Sequence, residues 1–267
     1  IEERKNFFTP NDDFINLCKY NSKTKKVENM YRIFILMIVV LVSCEEQNRS
    51  EYIEPLKPNT NNNINPNPNP EAEFNYLALG DSYTIGQSVA ANERWPVQLT
   101  VLLREAGYNY KDPRIIAQTG WTTDELEAAI DKENIQEKYD LVTLLIGVND
   151  QYRGRNVESF RTNYVAVLNK AIALANNNPK NVIVVSIPDW GVSPYAKNRD
   201  RDKISQEIDL FNSVKREETI KKQVQFIDIT EISRQALNND LYIASDNLHF
   251  SGAMYQLWAK EILNKGF

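Results

Sequence analysis

Hydrophobic and polar positions divide the chain near residue 74. Before that point there is one unbroken apolar run, residues 33–42 (IFILMIVVLV), set in polar sequence with no periodic face. After it, short apolar runs alternate with stretches of helical spacing. Strands are predicted over residues 74–79, within 108–117 and centred on 114–117, over 141–146 (LVTLLI), 182–187 (VIVVSI, stopped by Pro188) and 225–229. The helix predicted over residues 94–106 carries Trp95, Leu99, Leu102 and Leu103 on one face and closes at Gly107. Others are predicted over residues 123–137, with Thr122 or Thr123 as cap, and over 157–175, 204–221 and 253–263.

Five strands alternating with helices imply a parallel sheet with helices on both faces, a three-layer α/β/α sandwich. The runs at 141–146 and 182–187 are almost wholly apolar, with one small hydroxyl residue each, as central strands covered on both faces tend to be. Residues 74–267 are enough for one such domain. Open parallel sheets bind ligands beyond the carboxyl ends of their strands, where strand order reverses. Gly80-Asp81-Ser82-Tyr83 follows the first strand, Thr119-Gly120-Trp121 the second and Gly147-Val148-Asn149-Asp150 the third. Asp246-Asn247-Leu248-His249 follows the fifth and precedes the last helix. With strand order 2-1-3-4-5, Ser82 stands between Gly120 and Asn149.

These residue types suit acyl transfer. A serine hydroxyl becomes a nucleophile when a base takes its proton, and His249 is the one histidine in the chain. Asp246, three residues earlier, is placed to hold the imidazole in one tautomer. The Ser82 N–H, the Gly120 N–H and the Asn149 amide supply donors for a developing oxyanion, and glycine at 120 permits close backbone approach. Taken singly, each block is an ordinary turn.

Together, Gly80-Asp81-Ser82, Gly120, Gly147-x-Asn149-Asp150 and Asp246-x-x-His249 resemble the four blocks of the SGNH (GDSL-type) hydrolase family. They come in the family's order and span nearly all of residues 74–267. The resemblance implies a flavodoxin-like SGNH hydrolase fold with a Ser82, Asp246, His249 triad. It also implies an oxyanion hole of Ser82, Gly120 and Asn149, and a serine ester hydrolase working through an acyl-enzyme. Phe250 follows the histidine where many members carry proline. Trp95-Pro96 and the stretch from Asn149 to Gly154 are similar to the lysophospholipase, thioesterase and arylesterase branch. A carbohydrate deacetylase is the other substrate reading. Tyr83, Trp121, Tyr152 and Trp190, on or near post-strand loops, are candidates to line an acyl or sugar pocket. A reading of another class is a binding lipoprotein that kept the fold without catalysis. The intact Ser82, Asp246 and His249 speak against it.

Composition narrows the partners. A net charge of −5 with no long basic run in the body argues against nucleic acid. Two cysteines, Cys18 and Cys44, both precede the folded part, so neither a disulfide framework nor a Cys/His metal site is expected there. Acyl transfer by serine requires no cofactor or metal.

The apolar run of ten is too short for a helix across a bilayer, which takes about 20 residues. It fits the core of a secretory signal beginning at Met30. Leu41-Val42-Ser43-Cys44 resembles the lipobox of bacterial lipoproteins, which implies lipidation at Cys44. Residues 1–29 then form an upstream extension, 30–43 the signal and 44–73 an Asn/Pro-rich tether, semi-extended because each proline removes a donor. The expected setting is the bacterial cell envelope, with a membrane reached through the anchor and a small-molecule ester as substrate. Without residues 1–43 the formal charge becomes −7.

Overall fold

The computed structural model describes residues 72–267. The extension at 1–29, the signal at 30–43, Cys44 and the tether up to residue 71 lie outside the described residues. In chain order the first elements are β1 (Tyr76–Gly80), α1 (Ser82–Ile85), α2 (Trp95–Glu105), β2 (Arg114–Ala117) and α3 (Thr123–Glu133). Then come β3 (Leu141–Leu145), α4 (Val148–Tyr152), α5 (Val157–Leu174) and β4 (Val182–Val185). The last are α6 (Arg201–Lys221), β5 (Gln225–Ile227), α7 (Thr230–Arg234) and α8 (Gly252–Gly266).

All five strands pair in parallel in the order β2-β1-β3-β4-β5. Every residue of β1, β3 and β4 is buried, whereas the edge strands β2 and β5 are partly exposed. That contrast follows from helices covering the sheet on both faces. Helix α2 packs against α8, while α3 packs against α5 and α5 against α6. Trp95, Leu99, Leu103, Met254, Trp258 and Ile262 are fully buried on the first pair. Such side chains contribute about 1.5–3 kcal/mol each on leaving water. The fold is the α/β sandwich that the periodicity predicts.

The boundaries differ from the sequence pattern where tertiary contacts intervene. Helix α3 ends at Glu133 rather than near residue 137 because Asn134 turns left-handed, with φ 45°. Its start is held by Glu125, which accepts from the Thr122 N–H at 2.9 Å. Helix α6 begins at Arg201, three residues earlier than expected, because Asp200 caps it by accepting from the Lys203 N–H at 3.0 Å. Strand β4 stops at Val185 because the Asn212 side chain takes both the N–H and the carbonyl of Ile187, at 2.8 and 2.9 Å. A residue on α6 thus replaces the next rung of the ladder.

Candidate active site

The sheet's own register assembles the front of the site. Gly80 pairs with Ala117 on one side and Leu145 on the other. Ser82, Gly120 and Asn149 therefore lie two, three and four residues beyond a single rung. At Gly80 an added Cβ would fall 2.1 Å from Thr84 Oγ1 and 2.4 Å from the Leu145 carbonyl oxygen. Only glycine lets β1 turn this tightly into α1. Asp81 caps the turn, its Oδ1 accepting from the Tyr83 N–H at 3.0 Å. Burial pushes the Asp81 carboxyl up to about 7, against the bond from Tyr83 and the charge of Lys215. Ser82 is the first residue of α1, so its N–H has no acceptor within the helix. Among the described residues its hydroxyl has no hydrogen-bond partner, and the residue is 4% exposed.

Asn149 and Gly120 are joined across the mouth of the sheet. Asn149 Nδ2 donates to the Trp121 carbonyl at 2.9 Å, and Arg153 Nη2 donates to the Gly120 carbonyl at 2.6 Å. Asp150, fully buried, accepts from the Thr123 N–H at 3.0 Å and from its hydroxyl at 2.8 Å. Burial pushes the Asp150 carboxyl up, and the Thr123 bonds and Arg155 at 3.4 Å work against that shift. Gly120 has φ +87°, and a Cβ there would meet only Arg153 Nη2, at 3.8 Å. Backbone conformation, not crowding, calls for glycine.

The third part lies between β5 and α8. Asp246 Oδ1 accepts from the N–H groups of Leu248 and His249, both at 2.9 Å. Its Oδ2 accepts from the Ser88 hydroxyl at 2.7 Å and pairs with His249 Nδ1 at 2.6 Å. Burial alone would raise this carboxyl, but the bonds from Ser88 and from the His249 and Leu248 backbone outweigh it and bring it down to about 2. Asp246 is an anion at working pH, which keeps the proton of the imidazole on Nδ1 and leaves Nε2 to accept. The His249 ring stands edge-on to Tyr83, with ring centres 5.6 Å apart. Tyr83 directly follows Ser82, so the imidazole rests on the neighbour of that serine. Phe250 is fully buried, 5.8 Å from Tyr83 and 5.2 Å from Trp258 between ring centres. An aromatic wedge there pins the loop that carries the histidine.

The sequence matches the model of the GDSL-like lipase/acylhydrolase family over residues 78–257. The chain belongs to that family. As a member, this GDSL-family protein is a hydrolase of carboxylic esters. No curated protein matches the sequence. Solved structures share its fold. A lipase/acylhydrolase from Enterococcus faecalis is 22% identical with TM-score 0.56, over 71% of this chain and 93% of that one. A lipase from a goat rumen metagenome is 18% identical with TM-score 0.60, over 73% and 98%. A variant of an acetyl-xylooligosaccharide esterase from Geobacillus is 18% identical with TM-score 0.56, over 72% and 94%.

Of the four aromatic residues expected to line a pocket in this GDSL-family hydrolase, two are placed otherwise. Tyr83 and Trp190 are 2% and 3% exposed. The first turn of α1 directs Tyr83 inward beneath His249, and the Trp190 indole N–H is spent on Gln151 Oε1 at 2.8 Å. Both are supports rather than lining. Tyr152 is 45% exposed and Trp121 partly so. No motif marks Ser88, and nothing along the chain points to the bond between Arg153 and Gly120. Lys215 is likewise unmarked by any motif: fully buried on α6, its Nζ donates to the carbonyls of Ile146 and Val185, both at 2.9 Å. Burial lowers the Lys215 ammonium to about 7, against the pull of Asp81 and Asp150. A lysine in an otherwise inward-facing helix position was the available signal. Among the described residues no three His, Cys, Asp or Glu side chains gather as metal ligands would.

Proposed function

We propose that this hydrolase cleaves small acyl esters through an acyl-enzyme, with Ser82 as nucleophile, His249 as base and Asp246 as its partner. Ser82 Oγ attacks the ester carbonyl while His249 Nε2 takes the hydroxyl proton, and the same nitrogen returns it to the departing alcohol. Water then repeats the sequence on the acyl-serine and frees the acid. The Ser82 and Gly120 N–H groups and the second amide proton of Asn149 receive the oxyanion. The observation that carries the reading is the four-donor seat of Asp246, with His249 Nδ1 at 2.6 Å. A binding protein without catalysis has no use for an anionic carboxylate that three other donors hold in place against an imidazole.

The substrate classes that fit are lysophospholipid, thioester or aryl esters, and acetylated carbohydrate. The acetyl-xylooligosaccharide esterase among the structural neighbours supports keeping the last. Anchoring through Cys44 in a bacterial envelope belongs to the same proposal, since it brings the enzyme to either kind of ester.

A fluorophosphonate probe tests the reading. The wild-type protein takes one label and turns over p-nitrophenyl acetate, and Ser82→Ala does neither. Correctly folded wild type that stays unlabelled sinks the assignment.

A further inference from the structure

Three aromatic rings and one guanidinium form a cluster that touches both the Asn149 segment and the turn that carries His249. Tyr152 closes α4, three residues beyond Asn149, and its ring meets Trp190 at 5.3 Å, edge-on. Tyr195 lies 6.2 Å from Trp190 between ring centres, and its hydroxyl is 2.9 Å from that of Tyr152. The Tyr195 N–H donates to the Asn247 carbonyl at 2.9 Å, within the turn that carries His249. The Trp190–Gln151 bond ties the same platform to the Asn149 side. Over it lies Arg199, its Cζ 5.4 Å from the Tyr152 ring, 5.4 Å from Trp190 and 4.9 Å from Tyr195. Arg199 Nη2 donates to the Tyr195 hydroxyl at 3.2 Å and to that of Tyr152 at 3.4 Å.

Arg199 is exposed, and among the described residues no carboxylate lies within ion-pair distance of it. Arg153 and Arg155, by contrast, each hold an acidic partner. The two phenol bonds use one nitrogen of a fork that carries five donors. A guanidinium fixed by three rings has little conformational freedom left to lose when it binds. In a chain of net charge −5, an arginine so placed and left uncompensated is an opening for an anion from outside.

We propose that Arg199, on the Tyr152–Trp190–Tyr195 platform, binds an anionic group, carboxylate or phosphate, on the alcohol portion of the ester. The leaving oxygen must sit beside His249, and the platform is bonded to the turn that bears it. This rests on the serine mechanism proposed above. The groups recognised are those of an acidic sugar or of a phosphorylated alcohol.

The test compares kcat/KM of full-length wild type, Arg199→Gln and Arg199→Lys on 4-acetoxybenzoate, its neutral methyl ester and 4-acetoxyphenyl phosphate. The anionic-to-neutral ratio is expected to fall about tenfold in Arg199→Gln, through KM, since one charge-assisted bond is worth about that much. Arg199→Lys recovers part of it, and added salt narrows the gap in wild type alone. Whichever anion loses more identifies the preferred group. An unchanged ratio, or an equal loss on all three esters, overturns the proposal. If wild type turns over none of them, the serine mechanism fails, and calorimetry with 4-hydroxybenzoate and phenyl phosphate decides the anion site separately. Binding lost in Arg199→Gln sustains it, and equal or no binding in both proteins overturns it.

Discussion

Replacing Asp246 by asparagine keeps the shape of the side chain and changes which protons it can meet. Its Oδ1 serves two backbone N–H groups at 2.9 Å, which only an oxygen can accept. The new NH2 must therefore take the Oδ2 place, facing Ser88 and His249 Nδ1 at 2.7 and 2.6 Å. The Ser88 hydroxyl can rotate to accept. His249 can accept only by moving its proton to Nε2, the nitrogen that must receive the proton of Ser82. The imidazolium also loses its counter-charge. Triad enzymes with the wrong tautomer lose about 10⁴ in kcat. A loss of about 10³–10⁴ is expected here, which is about 4–5.5 kcal/mol at 1.36 kcal/mol per tenfold.

The fold should suffer far less. One charge-assisted bond is worth about 1.5–3 kcal/mol at most, and the Asp246 side chain is 30% exposed. Steady-state turnover of p-nitrophenyl acetate, paired with thermal melts, separates the two effects. Ser88→Ala is the control, because it removes the other Oδ2 donor without forcing the tautomer. Its cost should stay below about tenfold, the worth of one hydrogen bond. Asp246→Asn within tenfold of wild type, or a loss lying wholly in KM, would refute the reasoning. Acid sensitivity gives a second reading. A carboxylate whose native pKa is depressed from 3.8 to about 2 lends stability above its ordinary value, and that stability is lost as pH falls toward 2. The variant should lack that component.

Two further outcomes follow from the same geometry. Asn149→Ala removes the oxyanion donor proposed above and should cost about 10²–10³ in kcat with little change in KM; a loss under threefold would mean that the amide serves only its bond to Trp121. Lys215→Met leaves the carbonyls of Ile146 and Val185 unpaired in the interior, at about 1–3 kcal/mol each. Relief of the buried amine offsets part of this, so urea unfolding should show a net loss of about 2–4 kcal/mol, and a loss below about 1 kcal/mol would show that the strand ends do not depend on the lysine. Because the native Lys215 pKa is lowered from 10.5 to about 7, wild type loses stability as pH falls through that window, and Lys215→Met should not.

Much of this protein is readable along the chain, because the signals are local. Five strands announce themselves by short apolar runs, three of them closed by Gly80, Gly147 or Pro188, and the intervening helices by spacing. The blocks around Ser82, Gly120, Asn149 and His249 are short turns whose residues act near where they stand in sequence. Asp246 and His249 are three apart, and one turn suffices to join them. Helices α1, α4 and α7, of four or five residues, were too short to leave a periodic trace.

What the chain by itself determined is therefore the class of fold, the order of its elements and the identity of the residues at its strand ends. The tertiary structure alone decided the contacts between distant segments. It turned Tyr83 and Trp190 inward, since a side chain's exposure depends on what packs over it and not on its type. It brought Ser88 to Asp246 across 158 positions and Arg153 to Gly120 across 33. It ended β4 with a side chain from α6, and it stacked Arg199 on rings from α4 and from the loop after β4, with no carboxylate among the described residues at ion-pair distance. Such pairings carry no local pattern, because the energy that selects them arises only after the sheet has closed its register.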